Sequence, residues 1–318
     1  MSKIRIGILG IGGVGGYYGG MLAKQFHHSE SVDIVFVVRP ETGMLIEKSG
    51  LKIVEDDHES IVHPAEIITN ATNCKPLDYL ICCTKGYQLE EALKPLSNEI
   101  TSNTVILPLL NGVSASQIIH SIYPQAEVWE GCVYIVASII SKGVILVKGS
   151  NQKLYFGSLT KGNEKHQQFA RLLKEAGIVF EYAENIEEII WKKFVFISSL
   201  ATITTKLDLS ISEVLTNQEH RKLVVKMIEE LMAITRAKNL NLGIDMMEET
   251  MKKMDQVPIG SLTSMLRDYR AGNPIELQAL TEFVIQSGRE LSVPTPVYNQ
   301  MYHGILNNLL MKNNNHQA

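Results

Sequence analysis

Near the start of the chain, Gly10-Ile11-Gly12-Gly13-Val14-Gly15 follows an apolar run and opens a helix-like stretch. A G-x-G-x-x-G in that place suits a pyrophosphate. Gly10 allows a tight turn, Gly12 lets the backbone approach the anion, and Gly15 lets the helix pack on the strand. The first helical N–H groups then face the charge. A tight strand–helix turn with no ligand is the alternative reading of the same pattern. Gly10, Ile11, Gly12, Gly13, Val14 and Gly15 are thus candidate dinucleotide contacts. The end of the second apolar run bears on which dinucleotide. NAD sites usually carry Asp or Glu there, to bond the ribose hydroxyls. Here Val37-Val38 leads into Arg39, 24 residues past Gly15. A guanidinium can clamp a 2′-phosphate in a bidentate way, which favours NADPH over NADH; the alternative is a solvated arginine at a strand end. Lys85, after Asp78–Thr84, and Asn111, after Thr104–Leu110, stand where two further strands end. Open α/β sheets bind ligands at those ends.

The elements that must position these residues alternate in the first half of the chain. Ile4–Leu9, Ile34–Val38, Tyr79–Cys83 and Val105–Leu110 are short apolar runs suited to strands buried on both faces of a parallel sheet. Helix-like segments such as Gly15–Gln25 and Glu90–Leu96 lie between them. The fold class implied is α/β, a doubly wound Rossmann sheet. Gly131–Gly157 reads as a late antiparallel section of the same domain, closed by a helix at His166–Ala176 and a strand at Ile178–Tyr182. Beyond Glu184 only helices are expected, at Ile189–Thr205, Glu219–Ala237, Met246–Lys253, Leu262–Ala271 and Ile275–Leu291. The boundary falls near Ala183–Glu187, giving a Rossmann domain over 1–184 and an all-α domain over 185–318. The tail Lys312–Ala318 reads as frayed.

Composition narrows the chemistry. The 318 residues suffice for two domains with proper cores. A net charge of −4 offers no basic excess for nucleic acid. No apolar stretch reaches the about 20 residues of a membrane helix, and no signal peptide precedes the first run. A cytoplasmic protein is expected. Cys74, Cys82, Cys83 and Cys132 follow no disulfide or zinc pattern and read as core residues. The histidines show no ligand spacing, so no metal is expected. His120 and His303 read as partly buried structural residues, and Met246, Met247, Met251 and Met254 as helical core or a subunit contact.

With these residues in hand the chain resembles the ketopantoate reductase (2-dehydropantoate 2-reductase) family over nearly its whole length. The resemblance rests on Gly10–Gly15, Thr84-Lys85-Gly86, Asn111-Gly112, Gly131 to Ala137 with Gly143, and Trp191-Lys192-Lys193. It continues through Ser264-Met265-Leu266-Arg267-Asp268, Ala271-Gly272, Glu276 and Val293-Pro294, with the family's twelve-residue step from Ser264 to Glu276. The resemblance implies that Lys85, Asn111, Ala137 and Glu276 contact the nucleotide and that Asn111 also touches substrate. It implies Lys193 as general acid and Ser264 at the substrate's carboxylate end. The reaction implied is NADPH-dependent reduction of 2-dehydropantoate to pantoate in pantothenate synthesis, by a monomer or homodimer acting on a small molecule.

The residues themselves bear on these roles. Lys192 lies four after Glu188, a favourable exposed pair. Lys193 shares its helical face with Ile190, Ile197 and Ala201, where burial would lower its pKa toward that of a useful proton donor. A lysine snorkelling at the domain junction is the alternative. Glu276 would fall at N3 of a helix capped by Asn273 with Pro274 in its first turn, so capping and ligand contact both stand. Ile197 and Ala201 occupy places where the family usually has asparagines bonding substrate. Ile275 stands for its usual Thr, and Thr281-Glu282 for Asn-Gly. Lost hydrogen bonds weaken recognition of a polar substrate. A reductase for a less polar 2-oxo acid is therefore the alternative within the class, and an NADPH-binding sensor without turnover the alternative outside it.

Overall fold

The computed structural model describes residues 3–56, 58–69, 75–159 and 164–315. Two compact units divide the chain. One comprises residues 1–110 and 114–187, the other 111–113 and 188–318.

Among the described residues eleven strands build the first unit: β1 (Ile4–Leu9), β2 (Val32–Val37), β3 (Leu51–Glu55), β4 (His58–Val62), β5 (Glu66–Ile68), β6 (Tyr79–Cys82), β7 (Val105–Pro108), β8 (Glu127–Val128), β9 (Glu130–Ser141), β10 (Val144–Gly157) and β11 (Phe180–Tyr182). Six of them form a sheet in the order β5-β2-β1-β6-β7-β8. Every pairing in it is parallel. The order reverses between β1 and β6, and this switch point is where such sheets open a crevice at their carboxyl ends. The glycine loop after β1 and Thr84-Lys85 after β6 both emerge there.

The helices are α1 (Gly13–Gln25), α2 (Pro40–Ser49), α3 (Leu89–Leu93), α4 (Ala115–Ile122), α5 (Glu164–Glu175), α6 (Ile186–Leu207), α7 (Ile211–Thr216), α8 (Gln218–Ala237), α9 (Met246–Asp255), α10 (Ser264–Arg270), α11 (Phe283–Glu290) and α12 (Pro296–Asn315). One face of the first sheet buries Leu9, Val35, Leu80 and Ile106 with Leu89, Leu93 and Ile119 of α3 and α4. The other face buries Ile6, Ile8, Ile34 and Ile81 with α1. Burial on both faces explains the unbroken apolar runs of these strands.

The Gly131–Gly157 region differs from the expectation of a late section of one sheet. β9 and β10 are antiparallel as expected, but β10 also pairs in parallel with β3 and β11. With the β3–β4 hairpin they form a second sheet. Helix α1 lies between the two sheets. A Cβ on Gly16 or Gly20 would strike Ile145 or Ile53 of the second sheet, and one on Gly19 would meet Ile8 and Phe36 of the first. Each glycine costs the helix about 1 kcal/mol of propensity, and the close approach of sheet on both sides offsets it.

The second unit is helical. Its core gathers Phe194, Val195, Val224, Met227, Ile228, Leu231, Met265, Leu280, Tyr298 and Ile305. Met246, Met251 and Met254 join that core, as helical spacing predicts. Three boundaries differ from the sequence reading. Helix α9 runs on to Asp255, and α12 continues through Asn315 where fraying is expected. The segment expected as a helix from Ile275 begins only at Leu277, with a five-residue π-helical turn, Gln278–Glu282, ahead of α11. His120 and His303 are both exposed, not partly buried. Both lie on the solvent face of an amphipathic helix. Cys82 and Cys132 are buried, Cys83 is half-buried, and all three are free thiols; Cys74 lies outside the described residues. No helix among the described residues is long and apolar enough to cross a membrane.

One carboxylate sits inside the second core. Glu230 of α8 is buried and accepts the backbone N–H groups of Val297 at 2.8 Å and Tyr298 at 3.1 Å. It caps the N-terminus of α12 from a distant helix, where first-turn N–H groups lack partners. Burial raises its pKa and those two hydrogen bonds oppose the rise. Glu230→Ala strands both donors and is expected to destabilise the unit by about 1–3 kcal/mol, read by urea unfolding. The raised pKa means the folded chain holds this proton more tightly than the unfolded one. The proton-linked contribution is therefore fullest below the ordinary glutamate value and is lost as pH rises through the raised one.

Candidate functional site

In the first unit the glycine loop is built by close approach. Gly10 has φ of 87°, a left-handed conformation that a side chain disfavours. A Cβ on Gly15 would strike the Gly10 carbonyl oxygen and meet Cys83 Cβ at 2.9 Å, so the helix is held tight on the strands. A Cβ on Gly12 would meet nothing within 4 Å. The backbone there faces open space, as a phosphate cradle requires. A Cβ on Gly13 would come within 2.5 Å of the Ala137 carbonyl oxygen. The structure thus brings Ala137 of β9 against the loop, although 124 positions separate them in the chain. Ile11 and Val14 are half-buried and pack against the surrounding core.

Arg39 follows β2 as the N-cap of α2, its backbone extended at φ −66° and ψ 151°. Its side chain is exposed, and none of its ion pairs is found among the described residues. Lys85 is half-buried, extended, and precedes a 3-10 turn at Gly86–Gln88; it is engaged with a neighbour. Sequence reasoning passed over Thr84 as a site residue. Its hydroxyl is buried with no hydrogen-bond partner, and its methyl lies against the position a Gly10 Cβ would take. An orphaned hydroxyl at this loop fits an anionic ligand's oxygen. The only cue in the sequence was its place at a strand end. Burial pushes the thiol of Cys83 beside it well above the ordinary range, which disfavours the reactive thiolate.

In the second unit Lys193 and Asn111 come together. Lys193 Nζ donates to Asn111 Oδ1 over a long 3.4 Å. Asn111 is delivered by the loop after β7, and Gly112 beside it packs on Ala279 of the π-helical turn. Lys193 is half-buried, with Ile190 and Ala201 buried and Ile197 half-buried along the same face of α6. The expected pairing of Lys192 with Glu188 is absent among the described residues. Lys192 is itself half-buried, and an exposed i,i+4 pair is worth only a few tenths of a kcal/mol, too little to hold it.

Glu276 is also placed differently from the capping reading. The helix starts at Leu277, and the Glu276 carbonyl oxygen accepts the Leu280 N–H at 3.0 Å. Glu276 therefore stands just ahead of the helix, not at N3, and the Asn273-to-Glu276 capping box does not form. Gly272 does end α10, with φ of 70°, but Asn273 donates back to the Asp268 carbonyl at 2.9 Å and so closes that helix instead of opening the next. The Glu276 side chain is buried and engaged. Ser264 is the half-buried first residue of α10. No group of three or more His, Cys, Asp or Glu among the described residues could hold a metal.

A glycine-loop crevice in the first unit and a lysine–asparagine pair in the second are features this chain shares with known proteins. Residues 6–161 match the model of the ketopantoate reductase PanE/ApbA family, and residues 185–308 match its C-terminal counterpart. The chain belongs to the ketopantoate reductase family. It is an oxidoreductase of that family by both halves. The solved 2-dehydropantoate 2-reductase of Porphyromonas gingivalis is 30% identical, with a TM-score of 0.84 over 96% of this chain and 100% of that one. The uncharacterized oxidoreductase YkpB of Bacillus subtilis is 27% identical over 93% of this chain and 95% of its own. A D-mandelate dehydrogenase, solved with NADH and anilino(oxo)acetate, shares the family's fold at 21% identity, with a TM-score of 0.87 over 98% of this chain and 99% of that one. The family match thus spans both units.

Proposed function

We propose that the protein reduces a 2-oxo acid with NADPH, and that the reaction is 2-dehydropantoate to pantoate in pantothenate synthesis. The contact between Lys193 and Asn111 carries this reading, because it points an ammonium group to one place in a family of reductases. NADPH, when bound, supplies the hydride that adds to C2 of the oxo acid. The chain does the rest. Gly10, Ile11, Gly12, Gly13, Val14 and Gly15 seat the pyrophosphate, and Arg39 clamps the 2′-phosphate. Lys85, Ala137 and Glu276 contact the nucleotide. Asn111 touches both nucleotide and substrate, and accepts a hydrogen bond from Lys193 Nζ. Lys193 gives that oxygen its proton as negative charge develops. Ser264 holds the carboxylate end. Residues 1–184 thus form the NADP-binding domain, with Asn111 also serving the substrate, and residues 185–318 the substrate and catalytic domain, with Glu276 also serving the nucleotide, in a cytoplasmic enzyme acting as monomer or homodimer.

A second reading is favoured by Ile197 and Ala201. Both side chains flank Lys193 on α6, and neither can bond a substrate hydroxyl, so a less polar 2-oxo acid fits that face better. Comparing kcat/KM for 2-dehydropantoate with aliphatic 2-oxo acids of similar size separates the two. If the second reading holds, an aliphatic oxo acid is preferred, and Ile197→Asn shifts the ratio toward 2-dehydropantoate by about 10-fold or more. A wild-type preference for 2-dehydropantoate, unmoved by Ile197→Asn, contradicts it and leaves the first reading in place.

A further inference from the structure

Helix α6 carries, besides Lys193, a set of fully buried hydroxyls: Ser198, Ser199, Thr202, Thr204 and Thr205. Buried hydroxyls are costly unless paired; Thr205 Oγ1 has no hydrogen-bond partner among the described residues, and the pairs the other four make are directional. Thr204 Oγ1 donates to the Leu200 carbonyl at 2.6 Å and lies 2.9 Å from Thr263 Oγ1. A hydroxyl has one proton; that of Thr204 goes to Leu200, so Thr263 is the donor between the two threonines. Thr263 Oγ1 in turn accepts the Leu266 N–H at 3.2 Å, as the N-cap of α10. The result is a closed chain, Leu266 N–H to Thr263 to Thr204 to the Leu200 carbonyl. Each hydroxyl in it donates once within the chain and accepts once.

Similar bonds fasten the next segment. Ser198 Oγ donates to the Leu280 carbonyl at 2.5 Å, which makes Tyr298, 2.8 Å away, the donor to Ser198. Thr202 and Thr281 meet at 2.7 Å. Leu280 and Thr281 belong to the π-helical turn that follows Glu276.

We propose that Thr204 is a positioning residue for substrate, acting through Thr263 to fix Ser264. Ser264 is the residue after that cap, and α10 is only seven residues long. Met265, Leu266 and Tyr269 pack its body into the core, while the Thr263 anchor fastens its first turn, where Ser264 sits, to α6. The hydroxyl chain ties the Ser264 side to the helix that bears Lys193, so the carboxylate-holding group and the proton donor share one frame. Misplacement of such a group costs binding of the oriented substrate without touching the cofactor. The proposal rests on the reading of Ser264 as a substrate contact.

Steady-state kinetics on the full chain test it, using the 2-oxo acid the wild type reduces best, with Thr204→Val, Thr204→Ser, Ser264→Ala and the Thr204→Val/Ser264→Ala pair. Thr204→Val is expected to raise KM for the oxo acid about 3- to 10-fold, with kcat and NADPH affinity unchanged. Thr204→Ser restores it, and the double variant is no worse than Ser264→Ala. Faster amide exchange at Leu266 in Thr204→Val reads the loosened cap independently of turnover. Equal losses in KM, kcat and NADPH affinity, or effects that multiply in the double variant, overturn the proposal. A raised KM in Ser264→Ala beside a wild-type KM in Thr204→Val overturns the proposal alone. A wild-type KM in Ser264→Ala overturns the Ser264 reading and the proposal with it.

Discussion

Lys193→Ala is expected to lower kcat for 2-oxo acid reduction by about 10²- to 10⁴-fold, the usual worth of a positioned proton donor. NADPH affinity should not change, because no part of the nucleotide is assigned to this side chain. The structure gives the reason for so large an effect. Lys193 is half-buried on α6 among Ile190, Ile197 and Ala201, and its Nζ is aimed at Asn111 Oδ1, 3.4 Å away. Lys193→Arg separates the two services a lysine gives. A guanidinium keeps the positive charge but does not release a proton near neutrality. If proton donation is what matters, the arginine variant stays nearly as slow as alanine; if only charge matters, it recovers. Single-turnover rates with saturating NADPH make the comparison free of product release.

Arg39→Ala is expected to weaken NADPH binding about 10- to 100-fold while leaving NADH binding unchanged. The magnitude follows from hydrogen bonds to a charged group, worth about 1.5–3 kcal/mol. Arg39 suits this role because it is exposed and its backbone stands at the end of β2. A 2′-phosphate is the only difference between the two cofactors, so the ratio of their dissociation constants isolates this one contact. Equal losses for both would mean that Arg39 supports α2 and not the phosphate.

The Rossmann half was legible because its strands are buried on both faces. Burial of that kind leaves continuous apolar runs, and the glycine pattern between β1 and α1 marks the turn. The β3–β4 hairpin was missed for the opposite reason. Most of its residues, such as Lys52, Glu59 and Ile61, are partly exposed, so no unbroken run announces it. The second sheet then reads only as a stretch of Val and Ile. In the helical half, long amphipathic stretches such as α8 were legible, while the ground around Glu276 was not. Local sequence there spells a capping box from Asn273. The π-helical turn that forms instead is held by Ser198 and Thr202, whose partners Leu280 and Thr281 lie 82 and 79 positions away. No local signal reports bonds of that range. Thr84 went unnoticed for a similar reason, since its orphaned hydroxyl is visible only once β1 and β6 are side by side. The pairing of Lys192 with Glu188 failed because sequence order supplies proximity without the energy to hold it.

Addition of 2-dehydropantoate and a series of other 2-oxo acids to the purified chain with NADPH, following NADPH absorbance and identifying the product, separates a reductase from a nucleotide binder. NADPH is expected to be consumed mole for mole with a 2-oxo acid, and the matching 2-hydroxy acid to appear. NADPH that binds tightly yet is oxidised by none of them would contradict it, and would make the chain a nucleotide-binding sensor on a reductase scaffold.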